Sequence, residues 1–296
     1  MKKSLQIITY YDILASWGGI KMENDVIFSC REDDFYFHHT LTQRPEAGED
    51  SFRSHSHPMY EIYYFIRGEA DFVVEGHIHA LQRGSMIMTE CGQAHNILIR
   101  SQETPYERIA LLFAPRLLPD GFLPLLQAIH GGSNGFSFGE KDQQWLETCF
   151  SLLQTPTLNG VAMEERIRAV IGVLLAKTAE KMALGQENAP ERDDLVSQMI
   201  QFIHGHLQDE WQLSDLEKAL FRDKIYLNRR FKAVMGCGIW EYTMRKRVFA
   251  ARQQLRQSRS ISAAFAASGF QDYSTFYRRY KKYIGLSPSA DMKNLE

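Results

Sequence analysis

The sequence predicts an α+β protein with two domains, an N-terminal β-barrel with flanking helices followed by a C-terminal domain made only of helices. Short alternating segments separated by glycine turns occupy residues 60–100, whereas the last third of the chain shows helical spacing and an internal repeat. Of the 296 residues, 44% are hydrophobic and 24% are charged. This composition supplies apolar surface for two cores and excludes a disordered or collagen-like chain.

Charge divides the chain near residue 190. The formal net charge is −2, but residues 191–296 carry 18 Lys and Arg against 12 Asp and Glu, a net of +6. The first 190 residues therefore carry a net of −8. An acidic front and a basic back indicate two modules with different partners, of which the basic one suits nucleic acid.

The sequence also indicates a compartment. No stretch approaches the roughly 18 uninterrupted apolar residues of a membrane span. Gln6, Thr9 and Asp12 interrupt any signal-peptide core near the N-terminus. The four cysteines lie far apart without a CxxC pair, which is typical of reduced thiols. We therefore expect a cytoplasmic protein with no membrane partner.

The C-terminal third repeats itself at an offset of 49 residues. Each copy has the pattern of a short helix, a tight turn and a second helix. An aspartate stands before the second helix and a glycine follows it, which are residues typical of an N-cap and a C-cap. Two such pairs in register predict two helix-turn-helix units, the motif that places its second helix in the major groove of DNA. The matched positions are Phe221/Phe270, Asp223/Asp272, Leu227/Phe276, Arg229/Arg278, Arg230/Arg279, Phe231/Tyr280, Lys232/Lys281 and Gly236/Gly285.

Helical spacing gives each second helix an apolar face and a polar face. Arg229 and Arg278 lie opposite the apolar stripe and are predicted to read guanine, while Arg230 and Arg279 turn towards the packed flank. Asn can pair with adenine and Lys with phosphate. The predicted DNA contacts are Lys224, Ile225, Asn228, Arg229, Lys232, Tyr273, Ser274, Tyr277, Arg278 and Lys281.

Residues 239–257 between the two copies read as one helix. Trp240, Met244, Val248 and Leu255 fall on a single apolar stripe with Ala251. Nineteen residues span about 28 Å at the α-helical rise. This is close to the roughly 34 Å of one duplex turn, so the connector would place both second helices in successive major grooves on one face of DNA.

The segment from Ile261 to Pro288, with the run AASGFQDYSTFYRRYKKYIGLSP, resembles the signature of the AraC/XylS family of transcriptional regulators. The resemblance covers about 100 residues and implies two helix-turn-helix units joined by a linker helix, with double-stranded DNA as partner. It also implies a small-molecule effector, a homodimer, and contact with RNA polymerase in an activator. Two positions depart from the family pattern: Arg222 replaces an apolar residue and Tyr280 replaces a phenylalanine.

The predicted barrel carries a histidine pattern. His55, His57 and Glu61 share strand parity, and His95 can reach the same cavity from a later strand. Three imidazoles and a carboxylate suit a divalent transition metal. The pattern resembles the two metal motifs of the cupin superfamily, with Glu90 in place of the usual proline. Three roles stay open for these four residues: a metal site, a pocket for an organic ligand, or hydrogen bonding within the barrel.

The predicted domains follow from these features. Residues 1–135 form a cupin-like ligand-sensing domain in which 1–21 are a mobile arm or a mis-assigned start. Residues 136–185 form a helical dimerisation and connector segment, and residues 191–296 form an AraC-type DNA-binding domain. The apolar stripe of the second connector helix is wide enough for both the barrel and a partner helix, so packing within the chain and a dimer both stay open. We predict a dimer interface that includes Ile167, Ile171 and Leu174.

The sequence therefore predicts a sequence-specific DNA-binding transcriptional regulator rather than an enzyme, with no catalytic residue and no required cofactor. A small molecule bound in the cupin-like domain would control it, and a carbohydrate is the ligand class that the family resemblance suggests. The alternative is a metal-dependent cupin enzyme, a dioxygenase or isomerase, fused to a DNA-binding tail. A ligand-independent architectural DNA binder is a third class, which would not need the long acidic front.

Overall fold

A computed structural model describes residues 24–45, 54–131, 134–155, 161–185 and 190–294. The predictions for residues 1–21 lie outside the described residues. The chain forms two compact units whose boundary falls between Asp193 and Asp194. No helix in the described ranges is both long enough and apolar enough to cross a membrane.

The first unit consists of two antiparallel sheets. One has the strand order β1-β2-β8-β3-β6-β9 and the other has the order β10-β5-β4-β7. Glycine turns connect the strands as predicted, and Glu75 and Gly76 of the β4–β5 hairpin both have the positive φ that a tight hairpin turn requires. The strands are β1 (Asn24–Glu32), β2 (Phe35–Thr42), β3 (Tyr60–Arg67), β4 (Ala70–Val74), β5 (His77–Ala80), β6 (Ser85–Thr89), β7 (His95–Ile99), β8 (Tyr106–Phe113), β9 (Gly135–Ser137) and β10 (Glu191–Arg192).

Strand alternation gives the unit two apolar layers. Even-numbered residues of β3, such as Tyr64, pack with Phe37 against Phe150 of a flanking helix. Odd-numbered residues of β3 face the space between the sheets, which we call the lumen and which Glu61, Tyr63, Phe65, Phe72 and Tyr106 line. The flanking helices are a 3₁₀ turn (Pro115–Leu117), α1 (Leu123–Gly131), α2 (Glu140–Gln154) and α3 (Met163–Ala183).

The structure contradicts the predicted dimer face of α3. Ile167, Ile171 and Leu174 are fully buried within their own chain, in the core between the helices and the first sheet. The apolar stripe is wide because it covers the sheet, and spacing alone does not distinguish that surface from a partner chain. The outward side of α3 instead exposes Ala169 and Val173.

The second unit is entirely helical. Its linker helix α7 lies within one residue of the predicted range, and Met244, Val248 and Leu255 of the predicted stripe are buried. Trp240 departs from that prediction, since 43% of its surface is exposed. The helices are α4 (Asp194–Gly205), α5 (Leu213–Leu220), α6 (Lys224–Met235), α7 (Ile239–Ser258), α8 (Ile261–Ala266), α9 (Tyr273–Ile284) and α10 (Pro288–Asn294).

A buried carboxylate connects three of these helices. Both carboxylate oxygens of Asp291 in α10 accept hydrogen bonds from Arg252 of α7, at 2.8 and 2.9 Å. The Tyr280 hydroxyl of α9 donates to the same carboxylate at 2.6 Å. This contact explains why a tyrosine stands at position 280, because a phenylalanine could not donate to Asp291.

Candidate functional site

The second helix of each repeat begins as the sequence predicts. Asp223 Oδ1 accepts hydrogen bonds from the backbone N–H of Ile225 at 2.8 Å and of Tyr226 at 3.1 Å. In the other copy, Asp272 Oδ1 accepts from the N–H of Thr275 at 2.7 Å. Both aspartates therefore satisfy N–H groups that a helix start leaves unpaired, and α6 and α9 start at matching positions of the repeat.

The first recognition helix, α6, exposes a mixed basic and apolar surface. Leu227 and Phe231 are buried against the core, so the opposite side faces outwards. Lys224 and Arg229 are exposed on that side and Lys232 is partly buried. Ile225 is 73% exposed, which is unusual for isoleucine and suits contact with a thymine methyl group.

Asn228 has a structural role that sequence reasoning missed. Its Oδ1 accepts a hydrogen bond at 3.1 Å from the backbone N–H of Ile239, at the start of α7. The residue at the N-cap of α7 is Gly238, which has no side chain to do this. Asn228 therefore caps the linker helix, and its carbonyl oxygen is engaged there rather than presented to adenine. The glycine before α7 is the sequence signal that could have indicated this role.

The second recognition helix, α9, exposes all five of its predicted DNA contacts, namely Tyr273, Ser274, Tyr277, Arg278 and Lys281. The Arg278 guanidinium donates to the Thr275 hydroxyl at 3.2 Å, which orients it along the outer face. Arg279 is half-buried and interacts with Tyr283, as a flank position should. Arg230, its counterpart in the first copy, is exposed.

The two turns differ by one residue. The left-handed residue of the first turn is Phe221, with φ 52°, two positions before Asp223. In the second turn it is Gly269, with φ 73°, three positions before Asp272. Phe221 and Phe270, which the sequence repeat matches, therefore do not occupy equivalent positions in the two units. Phe221 is 85% exposed, whereas Phe270 is only 8% exposed. Because its turn is shorter, the first copy has Arg222 where the second has the buried Phe270.

Glycine is required at position 269 in the second turn. A Cβ atom there would lie 2.4 Å from the backbone oxygen of Leu207 and 2.9 Å from Cα of Gln208. Both neighbours are backbone atoms, so a side chain could be admitted only by moving the main chain. The second turn therefore lies directly against the segment that follows α4.

In the first unit, the four predicted residues His55, His57, Glu61 and His95 converge. The backbone groups of His55 and His95 form a β-bridge with both N–H···O distances at 3.0 Å. One possible ligand atom from each residue lies within 4.8 Å of all the others. His57, Glu61 and His95 are buried, while His55 is partly exposed. We call these four residues the histidine cluster.

Hydrogen bonds fix the tautomers in the histidine cluster. Nδ1 of His57 lies 2.9 Å from the carbonyl oxygen of Met59, and Nδ1 of His95 lies 3.0 Å from that of Gln93. A carbonyl oxygen only accepts, so each Nδ1 carries a proton and donates. Each Nε2 then faces Oε2 of Glu61, at 3.1 Å in both cases.

This arrangement brings three acceptors together. Burial lowers the pKa of His57, which favours its neutral form. Burial alone would raise the pKa of Glu61; a proton on Nε2 of His57 or His95 would donate to its carboxylate and hold that pKa well below its usual range. Two unprotonated Nε2 atoms around a carboxylate repel one another unless a cation lies between them. Histidines that bind a metal through one ring nitrogen usually donate the N–H of the other nitrogen to a carbonyl oxygen, as His57 and His95 do here. The Nε2 atoms and the Glu61 carboxylate therefore fit a transition metal.

The lumen holds further polar residues that sequence reasoning missed. Arg108 of β8 pairs with Phe65 of β3 in the sheet and shares its lumen face. Its guanidinium lies 5.0 Å from the centre of the Tyr106 ring, and the Tyr106 hydroxyl lies 2.5 Å from that of Tyr63. The alternation of β8 could have indicated Arg108, because positions 106, 108 and 110 share one face.

The adjacent histidines of β2 point to opposite faces, as the alternation of a strand requires. His39 lies on the helix side, with its Nε2 2.9 Å from a carboxylate oxygen of Glu107. His38 lies on the lumen side, since it pairs across the sheet with Ala110, which in turn pairs with Tyr63. Burial and the nearby Arg108 lower the pKa of His38 to about 3, so it is neutral at physiological pH.

Comparisons with known proteins match both units. A family described as a helix-turn-helix domain matches residues 216–294, and one described as a cupin domain matches residues 41–110. The transcriptional activator AarP of Providencia stuartii is 28% identical over 100 residues, which are 33% of this chain and 73% of AarP. A putative AraC-like transcription regulator of Streptomyces antibioticus is 31% identical over 103 residues, 34% of each chain.

One relative matches over most of its length. The probable transcriptional regulator LumQ of Photobacterium leiognathi is 21% identical over 251 residues, covering 84% of this chain and 96% of LumQ. Among solved structures, ToxT of Vibrio cholerae covers 89% of this chain and 99% of its own, with 13% identity and a TM-score of 0.37. The N-terminal unit is a cupin domain and the C-terminal unit is an AraC-type helix-turn-helix domain. The chain is an AraC-type transcriptional regulator.

Proposed function

We propose that this regulator reads a specific duplex sequence with α6 and α9 and that an effector in the lumen of the cupin domain controls its DNA binding. The observation that carries the proposal is the paired recognition helices. Aspartates cap both at matching positions, both are buried along one side, and both present basic and aromatic side chains on the other. A protein of this kind would act on the chromosome, in the cytoplasm, and as an activator it would also contact RNA polymerase.

The experiment that tests DNA reading is selection from a random duplex pool by the full chain, followed by binding to single-base variants of the selected site. Arg229→Ala and Arg278→Ala should each weaken the selected site by about 1–3 kcal/mol and relax preference at one base pair. The two base pairs should lie about one helical turn apart.

Lys281→Ala serves as the control, because a phosphate contact weakens all sequences alike and flattens the salt dependence. Equal losses on selected and random DNA for both arginine variants would refute base reading. Failure of the wild-type chain to enrich any sequence would refute the function itself.

We further propose that the histidine cluster binds a divalent transition metal. His57, His95 and Glu61 would hold it from the buried side and His55 from the partly exposed side. A metal bound there would supply a Lewis-acidic position for an oxygen donor of the effector. The support is the electrostatic arrangement described above, in which two Nε2 atoms and an ionised carboxylate converge.

A homodimer is the third part of the proposal. A groove of about 290 Å³ lies between the outer sides of α2 and α3, and a second copy of this chain would cover it. Leu152, Val161 and Val173 are exposed along this groove, and exposed apolar patches of this kind mark interaction sites. This surface replaces the buried face that the sequence predicted.

The histidine cluster also supports a second candidate function, a metal-dependent enzyme activity of the cupin domain. The names of the relatives point to regulators instead. Metal analysis of the purified chain followed by oxygen-uptake and isomerisation assays separates the two. Turnover that stops in a Glu61→Gln variant would favour the enzyme, whereas an effector that changes DNA affinity without being consumed would favour the regulator.

A further inference from the structure

Arg108 introduces a permanent positive charge into the lumen. It lies on the lumen face of β8, where its neighbours across the sheet are Thr40 and Phe65. Arg108 and His38 retain partial exposure, although the apolar residues that line the lumen are fully buried. These two residues therefore lie on the side where the lumen face reaches the protein surface.

The groups around Arg108 suit the binding of an anion. Burial opposes its charge, but Tyr106, Tyr63 and Glu61 hold the pKa of Arg108 above its ordinary value. The two tyrosine hydroxyls lie 2.5 Å apart, and the Tyr106 hydroxyl also accepts a hydrogen bond from Arg108. Glu61 already faces the two Nε2 atoms of the histidine cluster. His38 is neutral and adds no charge.

We propose that the effector is a small organic molecule with one carboxylate and that Arg108, with the Tyr63–Tyr106 pair behind it, binds this carboxylate. The proposal rests on the proposed function and replaces the carbohydrate that the family resemblance suggested. A guanidinium binds a planar carboxylate through two parallel hydrogen bonds, and a single fixed positive charge matches a single negative charge better than a dianionic phosphate. Burial in the lumen strengthens this pairing because water screens it less.

The test measures thermal stabilisation and DNA binding of the full chain with matched probes. The probes are benzoate against benzamide, hexanoate against hexanamide and lactate against lactamide, together with phenyl phosphate, arabinose and galactose. We expect saturable stabilisation by at least one carboxylate, no stabilisation by its amide, and a change in DNA affinity at the same concentration.

Arg108→Gln should weaken the effective carboxylate about 10- to 100-fold, the range for hydrogen bonds to a charged group. Arg108→Lys keeps the charge without the fork and should lose less. The control is Arg67→Gln, which removes an exposed arginine that pairs with Glu107 on the neighbouring strand. It should leave carboxylate binding unchanged.

Stabilisation by a sugar or an amide but by no carboxylate would overturn the proposal. Stronger binding of phenyl phosphate than of every carboxylate would also overturn it. So would equal carboxylate binding by the wild type and by a folded Arg108→Gln variant. Absence of stabilisation by every carboxylate would also overturn it. A neutral probe that changes DNA affinity would remove the anion assignment and leave the proposed function intact. Failure of the chain to bind any DNA would remove the proposed function, whatever the probes do.

Discussion

Asp291 offers a sharp test of what holds the DNA-binding unit together. Asp291 is 1% exposed, and its carboxylate accepts two hydrogen bonds from Arg252 and one from Tyr280. Asp291→Asn keeps the shape but removes the charge, and one amide N–H would face the donors of Arg252. Breaking a buried ion pair costs about 3–5 kcal/mol, and because Asn retains one acceptor oxygen we expect a value near 3 kcal/mol.

Calorimetry of the full chain measures this loss. A destabilisation of about 3 kcal/mol should lower the melting temperature of a unit of this size by about 10–20 °C. The transition of the cupin unit should not move, because Asp291 packs within the helical unit. Asp209→Asn is the matched control, since residue 209 is exposed and its contact with Arg247 uses the backbone oxygen.

The pH dependence provides a second check. Burial alone would raise the pKa of Asp291, but Arg252 and Tyr280 hold it below its ordinary value. A carboxyl group with a lowered pKa in the folded state contributes stability above its unfolded pKa of about 4 and loses it as the pH falls through the folded value. The difference between wild type and Asp291→Asn should therefore shrink below about pH 4. A variant no less stable than the control, or a difference that persists in acid, would contradict this explanation.

Three further predictions follow from contacts described above. Asn228→Ala should destabilise the DNA-binding unit by about 1 kcal/mol because the α7 cap is lost, whereas Asn228→Asp should keep the cap and the stability. Loss of DNA specificity at unchanged stability would instead make Asn228 a base reader. Val173→Glu should convert the proposed dimer to a monomer in light scattering, while Ala176→Glu, one turn further along α3, changes the mass less. An unchanged mass for both variants would exclude this face. Dialysis against a chelator should lower the melting temperature of the cupin unit, and added zinc or nickel should restore it. The melting temperature of the Glu61→Gln variant should change with neither treatment. A wild-type protein that contains no metal and whose melting temperature also does not change would exclude the metal site.

Local signals accounted for much of what the sequence predicted. The caps at Asp223 and Asp272, the two recognition helices and the extent of α7 depend on neighbours within one or two helical turns, which the sequence shows directly. The histidine cluster was also predicted, because the spacing of its members matched a known pattern, although His55 and His57 precede β3 and strand parity does not place them. The caps and the helices need no knowledge of how distant segments pack.

The missed features are of two kinds: those at Arg108 and Ile167 depend on distant packing, whereas the turn at Phe221 and the cap at Asn228 are local. Arg108 and Tyr63 meet only because β3 and β8 are neighbours in the first sheet, although they are 45 residues apart in sequence. Ile167 was assigned to a dimer because an apolar stripe does not say which surface will cover it. Phe221 was matched to Phe270 because an exact repeat offset conceals a turn that is one residue shorter. Asn228 resembled a base reader because the sequence does not show that the backbone N–H of Ile239, at the start of α7, donates to its Oδ1.

The linker helix α7 has a consequence for how this protein can vary. Each residue added to or removed from an α-helix rotates everything beyond it by about 100° and shifts it by about 1.5 Å. A single insertion in α7 would therefore turn α9 away from the face that α6 presents, even if both helix-turn-helix units stayed folded. Substitutions at exposed positions of α7 carry no such penalty. The length of α7 thus constrains operator spacing more strictly than its surface sequence does, and a changed spacing would require a rebuilt connector rather than a lengthened one.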